Sequence, residues 1–327
     1  MRAAFYTRTG PASEVLEVGE IDTPAPGPGE VLVRVHASGI NPSDTKKRAG
    51  APGRTMTESR IVPHCDGAGV IEALGDGVSH DRLGRRVWLF NAQHKRAFGT
   101  AAAYIALPDF LTAPLPETTD FNAGACLGVP ALTAYYAVTA GRQTREDWVV
   151  VLGGAGAVGR YAVQMAKLTG SAVIATVSSA AKADHAQAAG ADHMIDYRAE
   201  DVAARVREIT GGRGADRIID VNANANAAQW ALLTRPEGVV VDYGSARNSA
   251  EIPIRDLRQK NITLKLINVY GMPHALREEA LQDIAAWLEG RKLSHAVATT
   301  YPLEKIAEAH EAVEAGAHLG NIVLTIP

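Results

Sequence analysis

The sequence predicts an α/β protein in two parts, a β-rich module and a doubly wound parallel sheet. Three observations carry this. Short apolar runs punctuated by Gly/Pro clusters fill the first third of the chain. From Trp148 onward, β-branched runs alternate with helical stretches. A glycine-rich turn, GGAGAVG at residues 153–159, lies at the first of these alternations. A length of 327 residues matches about two domains.

Taken in order, the early runs are residues 3–6, 15–21, 31–38, 68–74, 86–89 and 102–106, with turn clusters such as 24–29 between them. Short strands at this spacing predict a small barrel or sandwich. Beyond residue 125 the runs are 149–152, 172–177, 193–196, 217–221, 239–243 and 262–267. Over 157–169, Val158, Ala162, Met165 and Thr169 recur on one face at helical spacing, and Val202, Val206 and Ile209 do so further on. Parallel strands need crossovers of this length, and right-handed crossovers set helices on both faces of the sheet. A helix over 275–289, another after Pro302 and a strand at 322–326 close the chain. The sheet is already complete at Ile267, so these last segments are expected to return to the first domain. Residues 1–124 with 268–327 then form one domain and 125–267 the other.

Composition narrows the function. Lysine and arginine number 33 against 36 aspartates and glutamates, a formal charge of −3 that argues against a nucleic-acid partner. Hydrophobic residues at 46% and charged residues at 21% describe a packed globule. No apolar run reaches the ~20 residues of a membrane-spanning helix. The amino terminus, MRAAFYTRTG, lacks the apolar core of a secretory signal. Two cysteines, Cys65 and Cys126, are too few for a disulfide scaffold and suit a reducing cytoplasm. A cytoplasmic enzyme is the expectation.

Read as G-x-G-x-x-G, the glycine turn assigns Gly154 to the tight bend, Gly156 to close approach of a pyrophosphate, and Gly159 to helix–strand packing. The helix opening at Ala157 and Val158 presents its free N–H groups to the anion. A dinucleotide site follows. At the end of the next strand, where an NAD site carries Asp or Glu for the ribose 2′-hydroxyl, stand Ser178 and Ser179, and the next charge is Lys182. Hydroxyls and a cation accept a 2′-phosphate that a carboxylate would repel, which selects NADPH. The same serines also suit a helix N-cap.

Several stretches carry a family resemblance: GINPSDTKKRAG (39–50), DGAGVIEALGDGV (66–78), LGVPALTAYYA (127–137), GGAGAVG (153–159), GADHMIDYR (190–198), ANAN (223–226) and YPLEKIAEAHE (301–311). Together they resemble quinone oxidoreductases of the zeta-crystallin type, in the zinc-free branch of the medium-chain dehydrogenase/reductase superfamily. The resemblance implies a GroES-like substrate domain built from both chain ends, a Rossmann NADPH-binding domain between them, and a cleft at their junction. It implies that Lys182 and Tyr197 hold the 2′-phosphate, with Ser178 and Ser179 near it. Asn41 and Asp44 would line the floor beside the nicotinamide, with Thr133 close to the cofactor. Asn224, Gly244 and Ser245 would face the nicotinamide half, and Val269 and Tyr270 would pass the ring again.

The departures concern the substrate. Lys46 and Pro52 stand where several members carry an aromatic thought to shape the quinone pocket, and a late arginine that helps hold the phosphate in some members falls near Gly316. The usual Gly-Asp before a strand is Gly84-Arg85, and a usual glutamate is Ala103. Zinc-dependent members of the superfamily take Cys, His and Cys at three positions that are Asn41, Cys65 and Val129 here; an amide, one thiol and an isopropyl group do not form that ligand set. His64 neighbours Cys65, but adjacent residues of a strand point apart. No metal is expected.

Reduction of a conjugated acceptor is then the expected reaction, because charge develops on an oxygen that conjugation already stabilises. The Asn41 amide, the Lys46 ammonium and the Tyr270 hydroxyl are the candidate donors to that oxygen, with solvent as the source of the final proton. NADPH-dependent quinone reduction is the primary expectation and enoyl or alkene double-bond reduction the alternative. An NADPH-binding protein with a structural or RNA-binding role is the reading from another class. The run 262–267 at a sheet edge predicts a homodimer, with a tetramer as the alternative.

Overall fold

The computed structural model describes residues 1–51, 56, 58–141 and 148–327, so Pro52 lies outside the described residues. They fall into two compact units, Met1–Val129 with Leu281–Pro327, and Pro130–Ala280. The borders expected after 124 and 267 therefore move. Ala125 and Cys126 pack with Ala37 and Val323 in the core of the first unit. At the other border, the helix His274–Glu289 runs unbroken past Ala280.

The first unit opens with β1 (Arg2–Phe5), β2 (Glu17–Glu20), β3 (Glu30–Ile40), β4 (Asp66–Leu74), β5 (Arg86–Leu89), β6 (Tyr104–Pro108) and β7 (Thr112–Pro114). The second unit contributes β8 (Trp148–Val151), β9 (Ala172–Val177), β10 (His193–Asp196), β11 (Ala215–Asp220), β12 (Thr234–Asp242) and β13 (Thr263–Leu266). The chain then returns to the first unit with β14 (Val297–Pro302) and β15 (Asn321–Thr325).

In the first unit β3 is the spine. Val31, Val33, Val35 and Ala37 are buried at alternate positions while Arg34 is exposed, the period of two that a half-buried strand requires. The main sheet runs in the order β14-β15-β3-β4-β5-β7, with β6 also on β3, and is antiparallel except for the β14–β15 pair. The C-terminal segments thus return to this sheet through β15, as their position after Ile267 implies. Val15 belongs to the short helix Ala12–Val15, so the run expected at 15–21 is strand only from Glu17. β7 and β14 have no counterpart among the expected runs. One is three residues ending in proline, and the other, VATTYP, is polar and half-exposed, so neither carries an apolar alternation.

The second sheet is parallel throughout, in the order β10-β9-β8-β11-β12-β13. This is the doubly wound arrangement in which the first strand lies beside the fourth, and ligands bind at the carboxyl ends near that switch. On one face Val150, Ile174, Ile195, Ile218 and Val240 pack under Val202, Val206, Trp230 and Leu257. The helix Ala157–Leu168 covers the opposite face. It is buried from Gly159 to Ala166, not along a single stripe, because it is packed against β8, β9 and the helix Leu132–Thr139 at once. β13 is an edge strand, as expected of residues 262–267. Among the described residues no helix is long and apolar enough to cross a membrane.

One buried charge ties the sheet to a helix end. Arg217, fully buried on β11, donates from Nη1 to the carbonyls of Ala137 (3.0 Å) and Ala140 (2.9 Å), which the helix Leu132–Thr139 leaves unpaired at its carboxyl terminus. Arg217→Met keeps the apolar stem and deprives both carbonyls of their donor, which is expected to cost about 3 kcal/mol. Urea unfolding checks this; a loss below ~1 kcal/mol would contradict the role given to the guanidinium.

Candidate active site

The glycine turn follows β8. Gly153, not Gly154, carries the left-handed backbone, with φ of 77°, so the tight bend belongs to the first glycine of the run. Gly154 is required for a different reason: a Cβ there would lie 2.6 Å from the Cβ of Ala175 on β9. At Gly159 a Cβ would meet the Gly153 carbonyl at 2.2 Å, which seats the helix on the turn. Gly156 is exposed and has nothing nearer its missing Cβ than the Gly153 carbonyl at 3.4 Å. The N–H groups of Ala157, Val158 and Gly159 open the helix without intrahelical acceptors. An open glycine beneath free N–H groups fits a pyrophosphate.

Ser178, Ser179, Lys182 and Tyr197 come together at the end of β9. Ser179 caps the helix Ala180–Gln187, its Oγ accepting the Lys182 N–H at 3.4 Å, and Lys182 Nζ donates to Ser178 Oγ at 3.0 Å. The N-cap reading therefore holds for Ser179, and Ser178 lies beside the Lys182 ammonium. The Tyr197 N–H donates to the Val177 carbonyl (3.1 Å), which sets its main chain beside the end of β9, and its side chain is exposed. No Asp or Glu occupies the end of β9 itself, and Asp196, at the end of β10, turns Oδ1 to the Arg198 N–H at 3.0 Å.

Around the second half of the same sheet, Asn224 ties the loop after β12 to the helix Ala223–Leu233. Its Oδ1 accepts from the Arg247 N–H (2.9 Å) and its Nδ2 donates to the Ser249 carbonyl (2.5 Å). Gly244 lies against Val221, whose carbonyl a Cβ would meet at 2.4 Å, and Ser245 is exposed. The turn Val269–Gly271 packs on the helix that carries buried Thr133; Val269 is buried there and Tyr270 half-buried. Sequence reasoning missed two acids between these loops, Asp220 and Asp242, which lie in register at the ends of β11 and β12. Asp220 accepts from the Asn222 N–H, Asn226 Nδ2 and Trp230 Nε1. Burial first, and the Asp220 charge second, push Asp242 up to about 7. Their signal was an acid closing each apolar run, IID and VVVD.

In the first unit, Asn41 precedes the helix Pro42–Arg48, and Asp44 in its first turn accepts the Asn41 N–H at 2.8 Å. Asn41 Nδ2 donates to Asp66 Oδ2 at 2.7 Å, and the same oxygen accepts the Val129 N–H at 2.8 Å. Asp66 is a third acid that sequence reasoning missed, although it directly follows Cys65. Its approach depends on Gly128, where a Cβ would sit 2.1 Å from Oδ1. Burial holds Asp66 well above the usual carboxylate range, the charge of Asp44 adds to this, and the Asn41 and Val129 donors oppose it. Burial likewise raises Asp44 to about 7, against hydrogen bonds from Asn41. Lys46 does not join Asn41 and Asp44. It lies two residues past Asp44 on a short helix, on the opposite, exposed side.

The zinc question is settled by donor chemistry. The Asn41 amide and the Val129 main chain are committed to Asp66, leaving Cys65 as the one conventional ligand of the three positions. Both ring nitrogens of His64 are engaged elsewhere, with Ser38 Oγ and His310 Nε2, each at 2.8 Å. These residues do not fit a zinc ion. Among the described residues no group of three or more His, Cys, Asp or Glu is placed to hold a metal.

Known proteins share this architecture. The family described as "Alcohol dehydrogenase GroES-like domain" matches residues 27–117, and that described as "Zinc-binding dehydrogenase" matches residues 157–286. The quinone oxidoreductase of Rattus norvegicus is 31% identical over 96% of this chain and 94% of its own. The 2-haloacrylate reductase of a Burkholderia species is 32% identical over 99% and 98%. Among solved structures, the Escherichia coli quinone oxidoreductase complexed with NADPH superposes with a TM-score of 0.87 at 27% identity, covering 99% of this chain and 100% of that one. An NAD-dependent alcohol dehydrogenase gives 0.90 at 29% identity, covering both chains fully.

The raised Asp44 carboxyl has a testable sign. A carboxyl whose folded value exceeds its unfolded value stabilises the fold fully below about 3.8 and loses that contribution as pH rises to about 7. Asp44→Asn removes this titration, so the stability of the variant relative to wild type is expected to rise by about 1.4 kcal/mol per pH unit across that window. Chemical unfolding at a series of pH values checks it, and a pH-independent difference would contradict a neutral Asp44.

Proposed function

The chain belongs to the quinone oxidoreductase family of the medium-chain dehydrogenase/reductase superfamily, and on that footing we propose that it is an NADPH-dependent quinone reductase working without a metal. The observation that carries this reading is the Asp66 carboxyl bonded to both Asn41 and Val129. Hydrogen bonds fill the positions where zinc-dependent members hold their ion, so the chemistry that remains is reduction of an acceptor that stabilises its own developing charge.

Each residue then has a task. Gly154, Gly156 and Gly159, with the N–H groups at Ala157 and Val158, hold the pyrophosphate. Ser178, Ser179, Lys182 and Tyr197 hold the 2′-phosphate; the absence of an acid at the end of β9 favours NADPH over NADH. Thr133, Asn224, Gly244, Ser245, Val269 and Tyr270 receive the nicotinamide half. Bound there, NADPH supplies a hydride. Asp66 orients the Asn41 amide, whose second N–H is offered to the acceptor oxygen, while Asp44 fixes the Asn41 main chain. Tyr270 is a secondary donor, Lys46 being turned to the exposed side of its helix, and solvent provides the final proton. The similarity to 2-haloacrylate reductase supports a second reading, reduction of an activated alkene on the same residues. The edge strand β13, with Leu266 65% exposed, supports a homodimer, and the two buried free thiols suit the cytoplasm.

NADPH oxidation measured on ortho-quinones, para-quinones and enones tests the function. Turnover confined to enones selects the second reading, and tight NADPH binding without turnover on any of them overturns both. Lys182→Ala is expected to raise the KM for NADPH by about tenfold or more while leaving that for NADH unchanged, because only the phosphate contact is lost. Leu266→Glu is expected to shift a dimer to monomer in sedimentation, with β13 carrying a charge at its exposed edge.

A further inference from the structure

His64 is an anomaly on the fold. It lies immediately before Cys65 and Asp66, is fully buried, and adopts φ of 78°, a backbone conformation uncommon outside glycine. Its ring is held at both nitrogens: Nδ1 to Ser38 Oγ and Nε2 to His310 Nε2, each at 2.8 Å. His310 is equally buried and comes from the helix Ile306–Ala315, at the far end of the chain. Ser38 Oγ lies 2.7 Å from Thr100 Oγ1, and Thr100 Oγ1 donates to the Asp66 carbonyl at 2.6 Å.

The direction of every bond follows from the last one. A carbonyl only accepts, so the Thr100 hydroxyl proton is spent on Asp66, and Ser38 must donate to Thr100. The Ser38 proton is then spent as well, so His64 must donate from Nδ1. A neutral His64 accepts at Nε2, and His310 must donate to it from its own Nε2, which leaves His310 Nδ1 unprotonated. That nitrogen is the ring atom that has no partner. Burial lowers the pKa of both rings, His64 to about 3, and so keeps both neutral. Donors run one way, from His310 through His64, Ser38 and Thr100 to the Asp66 main chain.

We propose that His310 and His64 are positioning residues: through this one-way chain, the helix Ile306–Ala315 fixes Asp66 and thereby aims the Asn41 amide. The proposal rests on the functional reading in which Asn41 faces the substrate, although its structural half does not. The chain ends on a carbonyl, so it carries orientation and not a proton.

The experiment compares wild type, His310→Phe and His310→Gln, the glutamine retaining an N–H donor where the imidazole Nε2 stood. The readouts are the Asn41 side-chain amide NMR resonance and steady-state kinetics with NADPH and a para-quinone. Expected are a displaced Asn41 resonance in His310→Phe, a fall in kcat of tenfold or more with KM for NADPH changed less than twofold, and recovery of both resonance and kcat in His310→Gln. An unmoved Asn41 resonance in folded His310→Phe overturns the proposal. So does a displaced resonance with kcat unchanged. Should His310→Phe fail to fold, nitrogen-15 NMR of the histidine rings in wild type decides: His64 protonated at Nδ1 alone and His310 at Nε2 alone support the chain, and any other tautomer pair overturns it. Wild-type protein inactive on quinones and enones defeats the functional reading instead, and the Asn41 resonance then still tests the positioning chain.

Discussion

The first unit is organised around a single oxygen. Asp66 Oδ2 receives the Asn41 amide and the Val129 main-chain N–H, which brings the end of β3 and the turn after residue 126 onto one carboxyl. Three local features make this possible. Gly128 leaves room for the carboxyl, since any side chain there would occupy the place of Oδ1. The chain over Leu127–Ala131 takes a π-helical turn containing Pro130, an irregularity that leaves the Val129 N–H to point at Asp66. Asp66 also heads β4, whose pairing with β3 sets it opposite Gly39, two residues before Asn41. With Oδ2 accepting twice and Oδ1 unpartnered and buried, the neutral carboxylic acid is the form this environment favours.

The parts of this arrangement legible in the sequence are those governed by local periodicity. Period-two alternation located β3, the β-branched runs located the six parallel strands, and the glycine run located the turn from β8 into its helix. Even there the run of two glycines left open which one bends, and only the backbone angle at Gly153 decides it. β7 and β14 were invisible because their partners supply the order that their own residues do not. Contacts within a contiguous stretch were legible, as where Ser179 caps the helix that carries Lys182. It was not legible where function depends on contacts made across the sequence. Asp66 meets Asn41 from 25 residues away, and His310 meets His64 from 246. No spacing rule reaches that far.

Two lysines show why residue type alone did not suffice. Lys46 and Lys182 both lie on short helices beside predicted site residues. Lys182 is held by Ser178 Oγ, and its helix amino terminus is capped by Ser179. Lys46 follows Asp44 by two positions, and helical geometry turns the pair to opposite sides: the acid is buried and the ammonium exposed. The difference between the two lysines lies in the neighbours that each helix brings, not in the residue type.

The buried acids also bear on the choice of reaction. Hydride delivery to a quinone or enone places negative charge on an oxygen, and an ionised carboxylate nearby would oppose it across a medium of low dielectric. Asp66 held neutral, and Asp44 raised to about 7, keep the floor around Asn41 free of most of that opposing charge at neutral pH. What remains is a set of fixed dipoles whose orientation is set before any substrate arrives, so no reorganisation accompanies charge development. Such a floor is weak beside a zinc ion as an activator of a simple alcohol. It matches an acceptor whose own conjugation spreads the charge, the substrate class of the proposed reaction.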